Sequence, residues 1–164
     1  LKELKGQSLD VDVVGVFSTQ EEVGTRGAQV AAQTVKPDIA IVFEGSPADD
    51  TFTPDYLIQT ALGRGPMLRH IDAKMITNPR FIRYAIDLGE KLGIPVQQAV
   101  RTGGSTNGAP IHLSGLGVPV IVIGLPVRYI HTHHCYASLC DFENSVKLAV
   151  EIIKRLNADI IKNF

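Results

Sequence analysis

The chain has 164 residues, of which 45% are hydrophobic and 20% are charged; this composition is typical of a folded globular domain rather than of a disordered chain. The formal net charge of −1 provides no basic surface for nucleic acid or an anionic membrane, and no apolar segment is long enough to cross a bilayer. Two cysteines do not make a secreted disulfide framework, so a reducing, cytoplasmic location is expected.

The first half of the chain predicts two buried strands separated by a helix. Apolar runs rich in β-branched residues at 11–18 and 38–45 indicate strands covered on both faces, as in a parallel sheet. Between them, the Ala-rich segment 26–36 predicts a helix that ends before a proline. The shorter, alternating segment 56–63 is expected to form a strand near a sheet edge, and the polar stretch that leads to His70 is expected to be a surface loop.

The second half predicts two long helices and two strands. The segment 77–93 has Asn78 as its N-cap, a proline at its first helical position and a glycine at its end, all of which are typical of a helix. A short edge strand is expected at 94–100 and a buried strand at 118–126. A final helix over 141–163 is expected to begin at a capping aspartate.

The alternation of strands and helices predicts an α/β fold, with a twisted, mostly parallel sheet and helices on both of its faces. No internal repeat, linker or low-complexity segment divides the sequence. Residues 1–164 are therefore expected to belong to a single domain.

Acidic and imidazole side chains follow the three buried strands. Glu21 and Glu22 come after the first strand and Glu44 stands at the end of the second. His131 follows the third. Because chemistry in open α/β sheets gathers at the carboxyl ends of the strands, these side chains are expected to converge. Carboxylate oxygen and imidazole nitrogen suit zinc, cobalt or manganese, so the pattern predicts a metal site.

The adjacent carboxylates Glu21 and Glu22 have different expected roles. In a regular strand two neighbours point to opposite faces, but in a loop followed by glycines they can both reach one site. One carboxylate can then bind a metal while the other takes a proton from the attacking water and passes it to the leaving group.

Each of these residues also has a simpler interpretation. An adjacent glutamate pair is commonly solvated surface, Glu44 can belong to a surface ion pair, and His131 can be a hydrogen-bonded histidine near the core.

Two other functions remain open for the protein: a glycoside hydrolase that uses paired glutamates, and an α/β scaffold without enzymatic activity. The chain has no tryptophan, which argues against a sugar-stacking cleft.

An ordered set of motifs spans nearly the whole chain and resembles a known family. The motifs are FSTQEEVGTRGA, VFEGSPADD, LGRGPML, RTGGSTNGAP, GVPVIVIGLPVRYIHT and DFENSVKLAVEIIKRL. They resemble the tetrahedral dinuclear metallo-aminopeptidases, which include glutamyl and deblocking aminopeptidases, some of them catalogued as endoglucanase M. The resemblance implies hydrolysis of N-terminal residues from short peptides, with two divalent ions per active site, zinc or cobalt.

The resemblance also implies a role for each candidate residue. It implies Glu21 as general base, Glu22 and His131 as ligands of one metal, and Glu44 as a ligand of the other. It further implies a homo-oligomer, a dodecamer in the intact family, and no nucleic-acid or membrane partner.

The family's full pattern is larger than residues 1–164. The resemblance makes this sequence the C-terminal part of a catalytic domain, without the upstream metal ligands and the inserted oligomerisation domain. The expectation is therefore that the isolated chain binds metal weakly, hydrolyses little, and exposes an uncovered flank of its sheet that favours self-association.

Overall fold

The computed structural model describes all residues from 1 to 164. Helices and strands alternate along most of the chain, as predicted. In chain order they are α1 (Arg26–Val35), β1 (Ala40–Pro47), β2 (Met67–Ile71), α2 (Pro79–Leu92), β3 (Gln97–Val100), α3 (Gly108–His112), β4 (Val120–Arg128), β5 (Tyr136–Ala137), α4 (Leu139–Ile153) and α5 (Ala158–Ile161), with short 3-10 helices at Lys2–Leu4 and Asp55–Leu57.

The strands form one mixed sheet in the order β1-β4-β2-β3, with β5 paired to β4. The two longest ladders, β1 with β4 and β2 with β3, are parallel, whereas β2 and β5 each pair with β4 in the antiparallel direction. The prediction of a mostly parallel sheet is confirmed, and so is the edge position of the strand predicted at 94–100. Because β1 and β4 are parallel, their carboxyl ends lie at the same edge of the sheet.

Alternating side chains of β4 place hydrophobic cores on both faces of the sheet. Ile121 and Ile123 belong to the larger core together with Phe81 of α2 and Leu148 of α4. Val120 and Val122 belong to a smaller core on the opposite face, where Val42, Met75 and α3 pack. Since successive residues of a strand face opposite sides, the near-continuous apolar run of β4 is explained, and the prediction of helices on both faces is confirmed.

The caps of α2 follow the sequence pattern. The Asn78 side chain accepts hydrogen bonds from the backbone N–H groups of Arg80 and Phe81, both at 3.0 Å. Pro79 occupies the first turn, where its missing N–H costs no helical hydrogen bond. Gly93 ends the helix with a φ of 63°, a left-handed conformation that glycine adopts without steric cost.

The strand predicted at 11–18 is absent, so that prediction is wrong. These residues make no backbone–backbone hydrogen bond, and Val14 and Phe17 are 60% and 96% exposed. A strand exists only when its N–H and C=O groups pair with a neighbouring strand. The apolar pattern indicates β propensity, but propensity does not supply a partner, and none of the five strands pairs with this segment.

Two further predictions in the middle of the chain are wrong. Residues 56–63 form no strand because side chains take the place of a ladder: the N–H of Thr60 donates to Asp49 and that of Ala61 donates to Gln97. The stretch that ends at His70 is strand β2, not a surface loop. Its polar residues conceal the strand pattern: Arg69 pairs with Asp72 in the interior, and His70 pairs with Gln98 at the surface.

The last helix is shorter than predicted and begins differently. Residues 141–163 contain all of α4 except its first two residues, and then the separate α5, which is capped by Asn157. The N-cap of α4 is Ser138, not Asp141. Asp141 is buried, and its carboxylate accepts hydrogen bonds from the N–H groups of Gly63 and Gly65, each at 2.7 Å.

None of the helices is both long and apolar enough to span a membrane.

Candidate functional site

Glu21 and Glu22 lie in a tight loop before α1, which we call the acidic loop (residues 19–25). The Glu21 carbonyl accepts hydrogen bonds from the N–H groups of Gly24 and Thr25, at 3.1 and 2.8 Å. Gly27 closes the loop by donating its N–H to the Thr19 carbonyl at 3.0 Å. A Cβ added to Gly27 would lie 2.5 Å from the Thr19 backbone, so only glycine permits this close approach.

Glu44 lies inside β1, because the strand continues two residues further than predicted, to Pro47. Val42 belongs to the smaller core, and strand alternation puts Glu44 on the same face. Gly124 of β4 is its register partner. Glu44 is half-buried at this position, on the face of the sheet that carries the smaller core.

His131 lies in the turn that leaves β4, which we call the exit turn (residues 129–132). The backbone N–H of Thr132 donates to the Tyr129 carbonyl and closes this turn. The Nδ1 atom of His131 is 3.9 Å from the Oε1 atom of Glu22. Both side chains are largely exposed, 69% and 74% respectively, so each can reorient.

The two loops contain most of the strained backbone of the molecule. Five residues other than glycine have positive φ, and four of them lie in the acidic loop or the exit turn: Gln20, Thr25, Tyr129 and His131. The left-handed conformation costs an L-residue roughly 1–2 kcal/mol. Such strain concentrates at functional sites, which distinguishes these two loops from ordinary surface turns.

The carboxylates of the candidate site act on one another. Burial, together with the charges of Glu21 and Glu22, raises the pKa of Glu44 to about 7. Burial and the neighbouring Glu22 also raise the pKa of Glu21. Two positive groups oppose these shifts: Arg69 acts on both residues, and His131 acts on Glu21. The charges of the three carboxylates therefore act against one another, and those of Arg69 and His131 offset this repulsion only in part.

The donor atoms are of the types that zinc and cobalt prefer, although the arrangement is open. No group of three or more His, Cys, Asp or Glu side chains converges closely enough to hold a metal ion. One donor pair, Glu22 and His131, consists of a carboxylate and an imidazole 3.9 Å apart. This combination is common at zinc sites, and a divalent cation would relieve the repulsion among the carboxylates.

Arg69 is a residue of this region that the sequence patterns do not reveal. It is 4% exposed, and its guanidinium is 3.3 Å from Asp72 and 3.2 Å from the Ser46 hydroxyl. A buried arginine is uncommon unless it is paired. The only signal in the sequence is an arginine directly after the apolar residues Met67 and Leu68, which is too weak to separate a buried strand from a surface loop.

An ion pair ties the loop after β1 to the end of β4, next to the exit turn. Arg128 donates through Nε and Nη2 to the two carboxylate oxygens of Asp50, at 2.9 and 2.8 Å. This two-point contact holds the pKa of Asp50 below its ordinary value. The pair holds the end of β4 in place, and the exit turn that contains His131 begins there.

Comparisons with known proteins agree with this fold. The glutamyl aminopeptidase of Lactococcus lactis subsp. cremoris (strain MG1363) is 34% identical over 167 residues, covering 100% of this chain and 46% of the relative. The crystal structure of a TET aminopeptidase from the marine sediment archaeon Thaumarchaeota archaeon SCGC AB-539-E09 is 37% identical with a TM-score of 0.93, covering 98% of this chain and 45% of that one.

A third protein, the Pyrococcus horikoshii TET1 peptidase, is 28% identical with a TM-score of 0.74, and 85% of this chain matches 40% of it. That peptidase is described as assembling into a tetrahedron or a large octahedral shell.

The present chain spans about half the length of the relatives it matches. The family profile of the M42 glutamyl aminopeptidases matches residues 1–148. The chain therefore belongs to the M42 glutamyl aminopeptidase family.

Proposed function

We propose that this chain forms part of a metal-dependent aminopeptidase that removes N-terminal residues from short peptides. The observation that carries the proposal is the mutual effect of Glu21, Glu22 and Glu44 at one edge of the sheet. His131 stands beside Glu22 at the same edge. Family membership supports a peptidase reaction, and the donor types favour zinc or cobalt.

The proposed roles follow from the position of each side chain. Glu22 and His131 would hold one metal ion and Glu44 a second. When bound, the ions supply Lewis-acid chemistry at the scissile carbonyl. Glu21 takes a proton from the attacking water and donates it to the leaving amine nitrogen. A pKa raised by burial and by Glu22 suits this exchange, because a general base works best with a pKa near the working pH.

The set of ligands within these 164 residues is incomplete. Two donors for one ion and one for the other fall short of the three or four protein ligands that zinc sites use. We therefore propose that residues 1–164 are the C-terminal part of the catalytic domain and that other ligands belong to a longer polypeptide. The 164-residue chain should bind metal weakly and hydrolyse peptides little.

Isothermal titration of the 164-residue chain with zinc and with cobalt tests the metal ligands. The variants Glu22→Gln and His131→Asn should each weaken binding by roughly 10-fold or more; asparagine tolerates the left-handed backbone at position 131. His134→Asn, in the neighbouring loop, is the matched control and should bind as the unmodified chain does. Equal binding by all four proteins would contradict the assignment, as would rapid peptide hydrolysis by the unmodified chain.

The rival reaction is glycoside hydrolysis by paired glutamates, which requires no metal. A protein of full family length should lose activity with a chelator and regain it with zinc or cobalt. Cleavage of a polysaccharide that persists in the chelator would favour the rival. We further propose that the protein is cytoplasmic and forms a homo-oligomer; the assembly described for the Pyrococcus horikoshii peptidase supports the oligomer.

A further inference from the structure

The two ends of the acidic loop are attached to the fold in different ways. At the downstream end, Gly27 of α1 donates its N–H to the Thr19 carbonyl at 3.0 Å, and α1 packs against α3 and buries Ala28 and Ala32. At the upstream end the backbone provides no attachment, because residues 8–18 make no backbone–backbone hydrogen bond. The position of the upstream end therefore depends on side chains.

One side-chain contact joins this upstream end to the rest of the molecule. The Nδ2 atom of Asn107 donates to the Ser18 hydroxyl at 3.0 Å, and residues 8–18 make no other hydrogen bond. Ser18 is half-buried, whereas residues 12–17 are exposed. Ser18 is thus the point at which the exposed segment returns to the fold, directly before the acidic loop begins.

Asn107 holds Ser18 from a position that is itself fixed. It lies between Thr106, which is 0% exposed, and Gly108, which is buried at the start of α3. The Thr106 hydroxyl accepts a hydrogen bond from the N–H of Gly108 at 3.1 Å. A Cβ added to Gly108 would lie 2.7 Å from the sulfur of Met75, a residue of the smaller core. The backbone at Asn107 therefore cannot shift without disturbing that core.

The Asn107 side chain contributes little to the stability of its own surroundings. Asn107 precedes α3, but its side chain makes no capping hydrogen bond. Its Oδ1 atom is buried and has no hydrogen-bond partner, and a buried acceptor without a partner destabilises a fold. The contact with Ser18 is the one polar interaction that the amide makes, so the acidic loop rather than α3 accounts for an asparagine here.

We propose that Asn107 is a positioning residue for the acidic loop. By holding Ser18, it fixes the upstream end of the loop three residues before Glu21. The inference rests on the proposed function, because it takes Glu21 as the general base and Glu22 as a metal ligand. A purely structural role, in which Asn107 only supports α3 and the smaller core, predicts that its loss affects those parts rather than the loop.

Amide hydrogen exchange of the metal-free chain distinguishes the two roles. Four N–H groups of the loop and the start of α1 are hydrogen-bonded within the loop and report its opening: those of Gly24, Thr25, Arg26 and Gly27. Asn107→Ala and Ser18→Ala should each speed their exchange by about 3–10-fold, the effect of one lost hydrogen bond. The double variant should exchange no faster than either single variant, because both substitutions remove the same contact.

The amides inside α2 and β4 should exchange in these variants as they do in the unmodified chain. Equal acceleration throughout the molecule would overturn the proposal, because it would indicate a general loss of stability. Unchanged exchange in the loop would also overturn it, as would a double variant whose acceleration is the product of the two single effects.

Two serine variants provide the rescue and the matched control. Ser18→Thr keeps the hydroxyl and should leave the exchange of the loop unchanged. Ser114→Ala removes another half-buried hydroxyl, which donates to the Ile111 carbonyl at 2.6 Å after α3, and it too should leave the loop unchanged. Acceleration of the loop by Ser114→Ala equal to that by Ser18→Ala would contradict the proposal. If Asn107→Ala does not fold, Ser18→Ala decides under the same criteria.

Zinc titration of the same proteins separates this inference from the proposed function. Ser18→Ala and Asn107→Ala should each weaken zinc binding severalfold, because the loop that carries Glu22 becomes less ordered. A loosened loop with unchanged zinc affinity would limit Asn107 to a structural role and overturn the inference. No zinc binding at Glu22 in the unmodified chain would instead remove the metal assignment, while the exchange data would still show whether Asn107 holds the loop.

Discussion

Glu44 occupies a position where its negative charge destabilises the folded chain unless a cation is nearby. Its carboxylate is half-buried on the sheet face that carries the smaller core, and two more glutamates act on it. The fold retains this unfavourable arrangement, and an unfavourable charge in a buried position is typical of a functional residue rather than of a stabilising one. Metal binding would convert this unfavourable interaction into a favourable one.

The pH dependence of unfolding tests this environment. Because the pKa of Glu44 rises from 4.5 to about 7 on folding, ionisation destabilises the fold progressively between these values, and the full effect is present above the folded-state pKa. With a chelator at pH 8.5, Glu44→Gln should increase the free energy of unfolding by about 1–2 kcal/mol, after allowance for solvent around a half-buried group.

At pH 4, below the ordinary pKa, the same substitution should give no such gain, because both states carry a proton. Urea unfolding at the two pH values provides the measurement, and the exposed Glu3→Gln serves as the control. A gain at pH 4 as large as that at pH 8.5 would contradict the proposed environment of Glu44.

At the scale of elements, the acidic loop depends on a glycine in the first turn of α1. Gly27→Ala places a methyl group 2.5 Å from the Thr19 backbone, so the loop that carries Glu21 and Glu22 must move. The substitution should lower the unfolding free energy by about 1–3 kcal/mol and weaken zinc binding. Gly103→Ala, where nothing lies within 4 Å, is the control. Unchanged zinc affinity in Gly27→Ala would show that zinc binding does not depend on the geometry of the acidic loop.

The Asp50–Arg128 pair joins the loop after β1 to β4, and its contribution has a defined pH dependence. Arg128 lowers the pKa of Asp50, so the pair stabilises the fold above the pKa of the unfolded chain. That stability is lost as pH falls through the lowered folded-state pKa. Asp50→Asn should lower the melting temperature by a few degrees at pH 7, and thermal scans toward acid pH should show the difference shrinking. A constant difference would contradict the ion-pair account.

Elements with their own local signals could be predicted from the sequence, whereas those that depend on distant partners could not. The helix α2 carries its cap at Asn78 and its stop at Gly93, so its boundaries follow from the sequence alone. The segment 11–18 has the composition of a strand but no partner, and β2 is a strand despite its polar residues. The buried position of Arg69 could not be predicted for the same reason, because its partner Ser46 belongs to another strand.

At the scale of the whole molecule, the segment 11–18 leaves an unpaired, apolar stretch on the surface. Val14, Val16 and Phe17 are exposed, and the backbone of the segment makes no hydrogen bond to other backbone groups. Exposed apolar segments with free backbone groups promote association between chains. The sequence predicts self-association at an uncovered flank of the sheet, and this exposed segment is a further surface at which two chains can meet.

Light scattering over a range of protein concentrations tests this expectation. The unmodified chain should form larger species as its concentration rises, and Phe17→Asp should reduce them severalfold by adding charge to the apolar stretch. Leu116→Asp, at an exposed apolar residue outside the segment, should have little effect. If both variants associate as the unmodified chain does, the segment is not the site of contact.

Anomalous diffraction from zinc-soaked crystals of the 164-residue chain tests the central claim most directly, since it locates the ions without reference to activity. The account predicts a zinc peak within about 2.0–2.2 Å of a Glu22 oxygen and a His131 nitrogen, with Glu44 beside a second, weaker peak. Zinc bound only elsewhere, such as at His133 or His134, with Glu22, Glu44 and His131 free of metal, would contradict it.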